Sequence, residues 1–372
     1  MIVDCAHYVD GRREREGALP LDEAAAHGGA GGFVWLGLLD PTVEELCAVR
    51  DSFDLHVLAV EDAQSFHLRP KIEQYAGDVR LVILRTARYD DELSEIEFGE
   101  ISVFVGPAFV ITVRQGAASD LRSARGRLER HPDLLRVGSV SALWAVLDQV
   151  VDGYAPVVAA LETDIERVES TVFAGAVAPT ESIYQLRREA SDFYRAVHPL
   201  LSVVTTIERE THRSPLGAYM RDVHDHLALV NEEIAAQREL LTTVLEANIA
   251  VISMEQNTIS IRQSATMERL TILATVFMPL TFVTGFFGQN FGWLVDHVST
   301  LTAFLLLGVG GLLAPALALL WWFRRVADLS GPRRPRSGPL PAARTLRQRR
   351  AVDGRRWVER LRHHPVDVSG SG

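Results

Sequence analysis

The sequence has 372 residues, with 38 Lys plus Arg against 48 Asp plus Glu, a formal charge of −10, and is 47% hydrophobic and 23% charged. That composition excludes a disordered chain, a collagen-like repeat and a disulfide-stapled miniprotein, and the length suits about two domains with a large core. Only Cys5 and Cys47 are present, so two free thiols in a reducing compartment are expected rather than a disulfide.

The opening Met1-Ile2-Val3-Asp4-Cys5 has neither a basic nor an apolar leader region, and no signal peptide is expected. Residues 1–30 are polar and Gly/Ala-rich and read as a loose start. The runs 32–38, 79–84, 100–105 and 108–113 read as strands, and Gly106-Pro107 between the last two is a hairpin signal. Asp40-Pro41-Thr42-Val43-Glu44-Glu45 reads as a helix start, with Asp40 as N-cap, Pro41 in the first turn and acids near the positive end of the dipole. This is an α+β pattern. Residues 139–213 then turn helical.

Residues 218–278 contain neither Gly nor Pro. Apolar residues recur there at Val223, Leu227, Val230, Ile234, Leu241, Val244 and Val251, in steps of four and three, with Gln237 and Asn248 interrupting. That is a heptad seam, and it predicts one very long helix. The pattern runs into an uncharged stretch from Leu270 to Phe287, and a second uncharged stretch runs from Val298 to Phe323. At 1.5 Å per residue both can cross ~30 Å of hydrocarbon, the first with help at its ends. The second closes with Trp321-Trp322-Phe323-Arg324-Arg325, aromatic residues and then positive charge, as at a membrane interface. Two transmembrane helices are therefore expected.

The tail 324–372 is Arg-rich, with only Asp328, Asp353, Glu359 and Asp367 as acids. By the positive-inside rule it stays in the cytoplasm, and two spans put residues 1–268 there as well. The protein is then a multi-pass cell-membrane protein with both termini cytoplasmic. Arg344 to Arg362, with Trp357, Val358 and Leu361, reads either as a basic amphipathic segment on anionic lipid or as disordered chain, in preference to a nucleic-acid binder.

Along the membrane end of the long helix, Ser264, Met267, Thr271, Ala274, Met278, Thr281, Gly285 and Gly288 follow each other in steps of three and four. That face is small, polar or soft, and uncharged. It suits either a pore lining in a parallel bundle, one helix per subunit, or small-residue packing between transmembrane helices. Ile272, Val276, Phe282 and Phe286 lie opposite and suit lipid or neighbouring helices.

Pro279-Leu280-Thr281 followed by Gly288-Gln289-Asn290 resembles the CorA family of divalent-cation transporters, where a Pro-Leu-Thr segment in the first transmembrane helix precedes a Gly-Met-Asn signature. The resemblance extends upstream through Trp35, Asp40-Pro41, Leu58 to Asp62, Arg69-Pro70-Lys71 and Asp148 to Tyr154, over roughly residues 33–325. It implies a homopentamer in the lipid bilayer and passive entry of Mg²⁺, with Co²⁺ also possible. It implies an α+β cytoplasmic domain followed by a very long helix that continues into the membrane, with two transmembrane helices at the C-terminus. The expected division is a loosely ordered N-terminus (1–32), a cytoplasmic α/β domain (33–138), the helical part of the funnel (139–216), the long helix with the first span (217–288), an external loop (289–297), the second span (298–323) and the Arg-rich tail (324–372).

The resemblance also implies roles. Asn290 matches the signature asparagine, whose ring of carbonyls would bond the water shell of an entering ion, and Gly288 the glycine of the turn. Thr281, Met278 and Gly285 match pore-lining positions. Leu270 and Met267 match a hydrophobic constriction, and Ser264 a polar ring. Glu61, Asp62 and Asp222 match cytoplasmic metal-sensing positions where acids of neighbouring subunits face each other, with Asp148 a further acid, so that Mg²⁺ is both cargo and regulator. Gln289 departs from the signature's methionine, and Asp296 is the only acid of the outer loop. The zinc-transporting ZntB-like branch also varies at that middle position, so proton-coupled Zn²⁺ transport is the alternative. A membrane-anchored coiled-coil scaffold without transport is a second alternative. No Gly-x-Ser-x-Gly, phosphate-binding loop or Cys/His array points to an enzyme. In Asp222-Val223-His224-Asp225-His226, Asp222 and His226 share a helix face and His224 points elsewhere, which is not a closed metal site.

Overall fold

The computed structural model describes all residues except 16, 18, 28–31, 118, 290–291, 298–299 and 330–372. It divides into two compact units, Met1–Ile261 and Arg262–Gly372.

The first unit is built on a seven-stranded mixed sheet in the order β2-β1-β3-β7-β6-β5-β4. The strands are β1 (Ile2–Val9), β2 (Arg12–Arg13), β3 (Gly32–Leu39), β4 (Lys71–Tyr75), β5 (Val79–Asp90), β6 (Glu95–Val105) and β7 (Phe109–Gly116). Only β3 and β7 run parallel, with Val34 opposite Phe109 and Leu38 opposite Val113. Both sheet faces are covered, which is why the central strands are uninterrupted apolar runs. Phe33, Trp35, Val82, Leu84, Ile101 and Val103 point to one core; Val34, Leu36, Leu38, Leu81, Ile83 and Phe104 point to the other. The second core is closed by α1 (Leu21–Ala26), α2 (Val43–Phe53) and α3 (Val57–Gln64). The first is closed by α4 (Arg122–Glu129), α5 (Pro132–Leu135), α6 (Ser139–Asp152), α7 (Tyr154–Phe173), α8 (Thr180–Val197), α9 (Leu200–Thr211) and the first half of α10 (Gly217–Phe287). Cys5 and Cys47 are both free.

Two expectations need correction. The stretch read as a loose start carries a strand: β1 pairs with β3 along its length, and Cys5, Ala6, His7 and Tyr8 are buried. Its polar residues find distant partners, since Asp4 pairs with Arg13 and Arg125 and the Tyr8 hydroxyl donates to Glu129 Oε1 at 2.6 Å. Asp40 is not the N-cap of α2. It sits in the left-handed region at φ 40°, and Thr42 caps the helix in a reciprocal box with Glu45. The heptad seam is present, and the structure shows what covers it. Val223, Leu227, Val230, Ile234, Leu241 and Val244 are buried within the chain's own core, in one cluster with Leu161, Ile165, Leu186 and Val204 of α7, α8 and α9. The two interruptions find backbone partners there as well, although the buried Gln237 Oε1 is left without one. Gln237 Nε2 donates to the Val158 carbonyl at 3.1 Å, and Asn248 exchanges hydrogen bonds of 3.1 Å with both backbone groups of Ala178. Buried amides need such partners, and these fix the register of α10 on α7 and the α7–α8 turn.

In the second unit the rest of α10 is followed by α11 (Gly292–His297), α12 (Leu301–Ala303), a π-helical segment (Phe304–Val309) and α13 (Gly310–Leu329). Among the described residues, two helices are long and apolar enough to cross a membrane. Trp293 stacks on His297 at 4.4 Å, and the Arg325 guanidinium lies 5.0 Å from the Trp321 ring centre.

Candidate ion pathway and acidic sites

The apolar side chains of α10 change environment along its length. Up to Val244 those of the seam are buried. Beyond it Met254, Ile259, Ile261, Met267, Leu270, Met278 and Phe282 are exposed in the single chain, Met278 at 77%. Ser264, Thr271, Thr281, Gly285, Gly288 and Gln289 are exposed too. No carboxylate or cation falls between Leu270 and Phe287. Thr271, Thr281 and Thr284 donate their hydroxyls to the carbonyls of Met267, Phe277 and Leu280 at 2.8, 2.8 and 2.9 Å. Their oxygens are then left as neutral acceptors. Pro279 lies inside the helix and brings no N–H to the ladder. Around Gly285 a side chain would meet nothing within 4 Å, whereas at Gly288 a Cβ would stand 3.2 Å from the Thr284 carbonyl oxygen. Gly288 follows the end of the helix and its N–H caps that same carbonyl at 2.9 Å. Asn290, the expected selectivity residue, lies outside the described residues, as does the tail 330–372.

The first acidic site is occupied by the chain's own cation. Lys71, the sequence's single lysine, opens β4 and donates to Asp62 Oδ2 at 2.6 Å and to Glu73 Oε1 at 2.9 Å. Burial works against its charge, but the hydrogen bonds to Asp62 and Glu73 outweigh burial and hold its pKa above the ordinary value. Glu73 is held low by the Tyr75 hydroxyl, which donates at 2.7 Å, and by Lys71. Behind Asp62, His67 Nε2 lies 3.8 Å from Oδ1, and the His67 backbone N–H donates at 2.6 Å to Glu100, a buried carboxylate whose pKa burial raises. Glu61 is exposed. The sequence marked Glu61 and Asp62 but gave Lys71 no role; nine residues separate it from Asp62, and only the turn from α3 into β4 brings them together.

The second site joins α6 to α10. Trp144 meets Tyr219 edge-on at 5.2 Å between ring centres. One turn further along α6 stands Asp148 and one turn further along α10 stands Asp222, near enough for its charge to act on Asp148. Asp148 is pushed up to about 6, first by burial and then by the charge of Asp152, against the pull of Arg127, with Asp222 adding to the rise. Arg127 bridges Asp148 at 3.1 Å and Asp152 at 3.2 Å. Asp222 is exposed and His226 lies 3.9 Å from it, whereas His224 points to Glu208 at 2.6 Å. Within one chain, then, the charge of Asp222 reaches Asp148 and disfavours its ionised form. Asp152 and Arg127 complete that group and were not marked in the sequence.

A folded pKa of about 6 against 3.8 means that the folded chain holds this proton more tightly than the unfolded one. The group's contribution is therefore favourable at low pH and is lost as pH rises from 4 through 6. Asp148→Asn, which keeps the neutral form, is expected to stabilise the chelator-treated full chain by ~2–3 kcal/mol above pH 7, and by nothing near pH 4. Thermal melts of both proteins across that range check this. An equal gain at both ends would assign the effect to packing, and a loss at pH 7 would give Arg127 the upper hand.

Comparison with known proteins agrees with this architecture. The family described as CorA-like Mg²⁺ transporter protein matches residues 30–325. The putative metal ion transporter YfjQ of Bacillus subtilis is 27% identical over 78% of this chain and 88% of its own length. The cobalt/magnesium transport protein CorA of Thermotoga maritima is 26% identical over 67% of this chain and 70% of its own. The complete CorA magnesium transporter structure from Methanocaldococcus jannaschii shares the fold, with a TM-score of 0.57 at 18% identity, covering 87% of this chain and 98% of that one. The long helix, the mixed sheet and the two apolar helices are the common frame, and the family's members are transporters rather than enzymes. The chain belongs to the CorA-like Mg²⁺ transporter protein family and is a divalent-cation transporter of that family.

Proposed function

We propose that the chain forms a homopentameric channel through which Mg²⁺, and Co²⁺ beside it, enters the cell, closed by cytoplasmic Mg²⁺ bound between subunits. The observation that carries this reading is the change along α10. Its upper seam is covered inside the chain, while the uncharged stripe from Ser264 to Gly288 is exposed among the described residues. Lipid on one face and other copies of α10 on the other would cover that half. Neutral hydroxyls and methionines suit a cation that gives up water reluctantly and prefers octahedral oxygen. A carboxylate ring at this depth would cost several kcal/mol and bind too tightly. Asn290 and Gln289 would form the outer mouth, and Leu270 with Met267 the inner constriction.

For regulation, Glu61 with Asp62 and Asp222 with Asp148 supply the acids. High Mg²⁺ would bridge them across subunit contacts, and falling Mg²⁺ would let like charges push the subunits apart. Both termini lie on the cytoplasmic side by the positive charge of the tail.

Gln289 favours one second reading, proton-coupled Zn²⁺ entry, because the signature methionine is replaced by a second amide at the mouth. Uptake into liposomes by the purified protein, comparing Mg²⁺, Co²⁺ and Zn²⁺ with and without a pH gradient, decides. Mg²⁺ entry driven by membrane potential alone is expected. Zn²⁺ entry that requires the proton gradient would overturn it, and absence of any flux would leave a scaffold.

A further inference from the structure

Among the described residues, one cluster of metal-binding side chains lies outside the acidic sites and outside the residues the family match covers. In β1, His7 is 4% exposed. Its Nδ1 is 2.7 Å from Glu14 Oε2, across the β1–β2 hairpin that the Glu14 N–H closes on the His7 carbonyl at 2.9 Å. A carboxylate needs a donor, so the proton sits on Nδ1, and Nε2 is left as a bare acceptor. That Nε2 is buried and has no hydrogen-bond partner. Gly32 keeps it uncovered, since a Cβ there would stand 3.2 Å away.

His27 follows α1, and its ring meets that of His7 edge-on at 4.8 Å between centres. Its Nδ1 is taken by the Glu23 carbonyl at 2.6 Å, so Nε2 is its available nitrogen. The three side chains line a pocket of about 320 Å³ together with Cys5, Arg15 and Glu23. Arg15 faces Glu23 at 3.8 Å, which keeps its charge engaged.

We propose that His7, Glu14 and His27 form a binding site for a transition-metal dication of the Zn²⁺ class. Their ligand atoms lie within 4.8 Å of one another. A tetrahedral ion ~2.0–2.2 Å from each would bring them to roughly 3.3–3.6 Å apart. His7 is fixed in the sheet, so to reach an ion on Nε2 the Glu14 carboxylate, 53% exposed, gives up its bond to Nδ1 and swings across, while His27 closes from the rim. Two imidazoles and one carboxylate select Zn²⁺ or Co²⁺ over Mg²⁺, which takes oxygen ligands. The buried, unpartnered Nε2 is the cost that the ion removes. The ion would tie β1, the β2 hairpin and α1 into one unit. This site is separate from the proposed transport route and does not depend on it.

Co²⁺ is the probe, added to the chelator-stripped full chain in nanodiscs, with Zn²⁺ and Mg²⁺ as competitors. One Co²⁺ per chain with the strong visible absorption of a tetrahedral site is expected, displaced by Zn²⁺ and not by excess Mg²⁺. Binding should weaken ~10-fold or more in His27→Gln and in His7→Ala, and persist in Asp148→Asn combined with Asp222→Asn. His27 is only half-buried and follows the end of the short α1, so His27→Gln is expected to retain the fold even where His7→Ala does not. Unchanged binding in His27→Gln overturns the proposal, as does displacement of Co²⁺ by Mg²⁺ or loss of binding in the paired aspartate variant.

Discussion

Divalent-cation uptake by Gly285→Leu is expected to fall on the order of 100-fold, because in the proposed pentamer one added side chain per subunit would narrow and dry a shared axis. The variant is chosen because the single chain should not feel it. Gly285 lies within α10, and a side chain there meets nothing within 4 Å. Replacing a helical glycine also improves local propensity by ~0.8–1.0 kcal/mol. Lost flux with an unchanged melt would therefore place Gly285 where copies of α10 converge. Gly288→Leu is a poorer probe, since its Cβ would crowd the Thr284 carbonyl oxygen at 3.2 Å. Uptake in liposomes, with reconstituted protein quantified in each sample, is the measurement. If Gly285→Leu conducts like the wild type, the uncharged stripe is a packing face and the pore lies elsewhere.

The features legible in the sequence are those set by local chemistry. Residues 218–278 lack every helix breaker, and α10 runs unbroken from Gly217 to Phe287. The central strands announced themselves because burial on both faces leaves no polar alternation. The runs at 79–84 and 100–105 were nonetheless read too short, since β5 extends to Asp90 and β6 begins at Glu95. Charged residues near that hairpin, such as Arg88 and Glu97, pair across the two strands, and both are invisible as strand formers until the partner is known. β1 was missed for the same reason, as its Asp4 is neutralised by Arg125, 121 residues away.

A hydrophobic period fixes which face is buried but not what covers it. The heptads from Val223 to Val244 were read correctly as a seam, yet their partners are α7, α8 and α9 of the same chain rather than a second copy. The same limit applied to the candidate sites. The face running from Ser264 to Gly288 follows from steps of three and four alone. The nearness of Asp222 to Asp148 needed the contact of Trp144 with Tyr219, and the His7–Glu14–His27 cluster needed a hairpin and a helix end that the composition concealed.

Lys71→Met is expected to lower the Mg²⁺ concentration that protects the full chain from protease by ~10-fold. Lys71 Nζ, 2.6 Å from Asp62 and 2.9 Å from Glu73, stands where a cation would bind, so Mg²⁺ must first displace it. Two unit charges ~4 Å apart interact by ~4 kcal/mol at an effective dielectric of 20. Lys71 and Asp62 are 30% and 28% exposed, and solvent screening at that depth reduces the figure to ~1–1.5 kcal/mol, about a tenfold change in affinity. The fold has little stake in the ammonium, because β4 is an edge strand held to β5 by its backbone. Lys71→Arg keeps the charge and should stay near the wild-type midpoint. Asp62→Asn added to Lys71→Met should abolish the gain, and Asp62→Asn with Asp222→Asn should remove protection altogether. A midpoint unmoved by Lys71→Met would mean that Asp62 is no Mg²⁺ ligand and that the Lys71 pair is purely structural, leaving Asp148, Asp152 and Asp222 as the sensing acids.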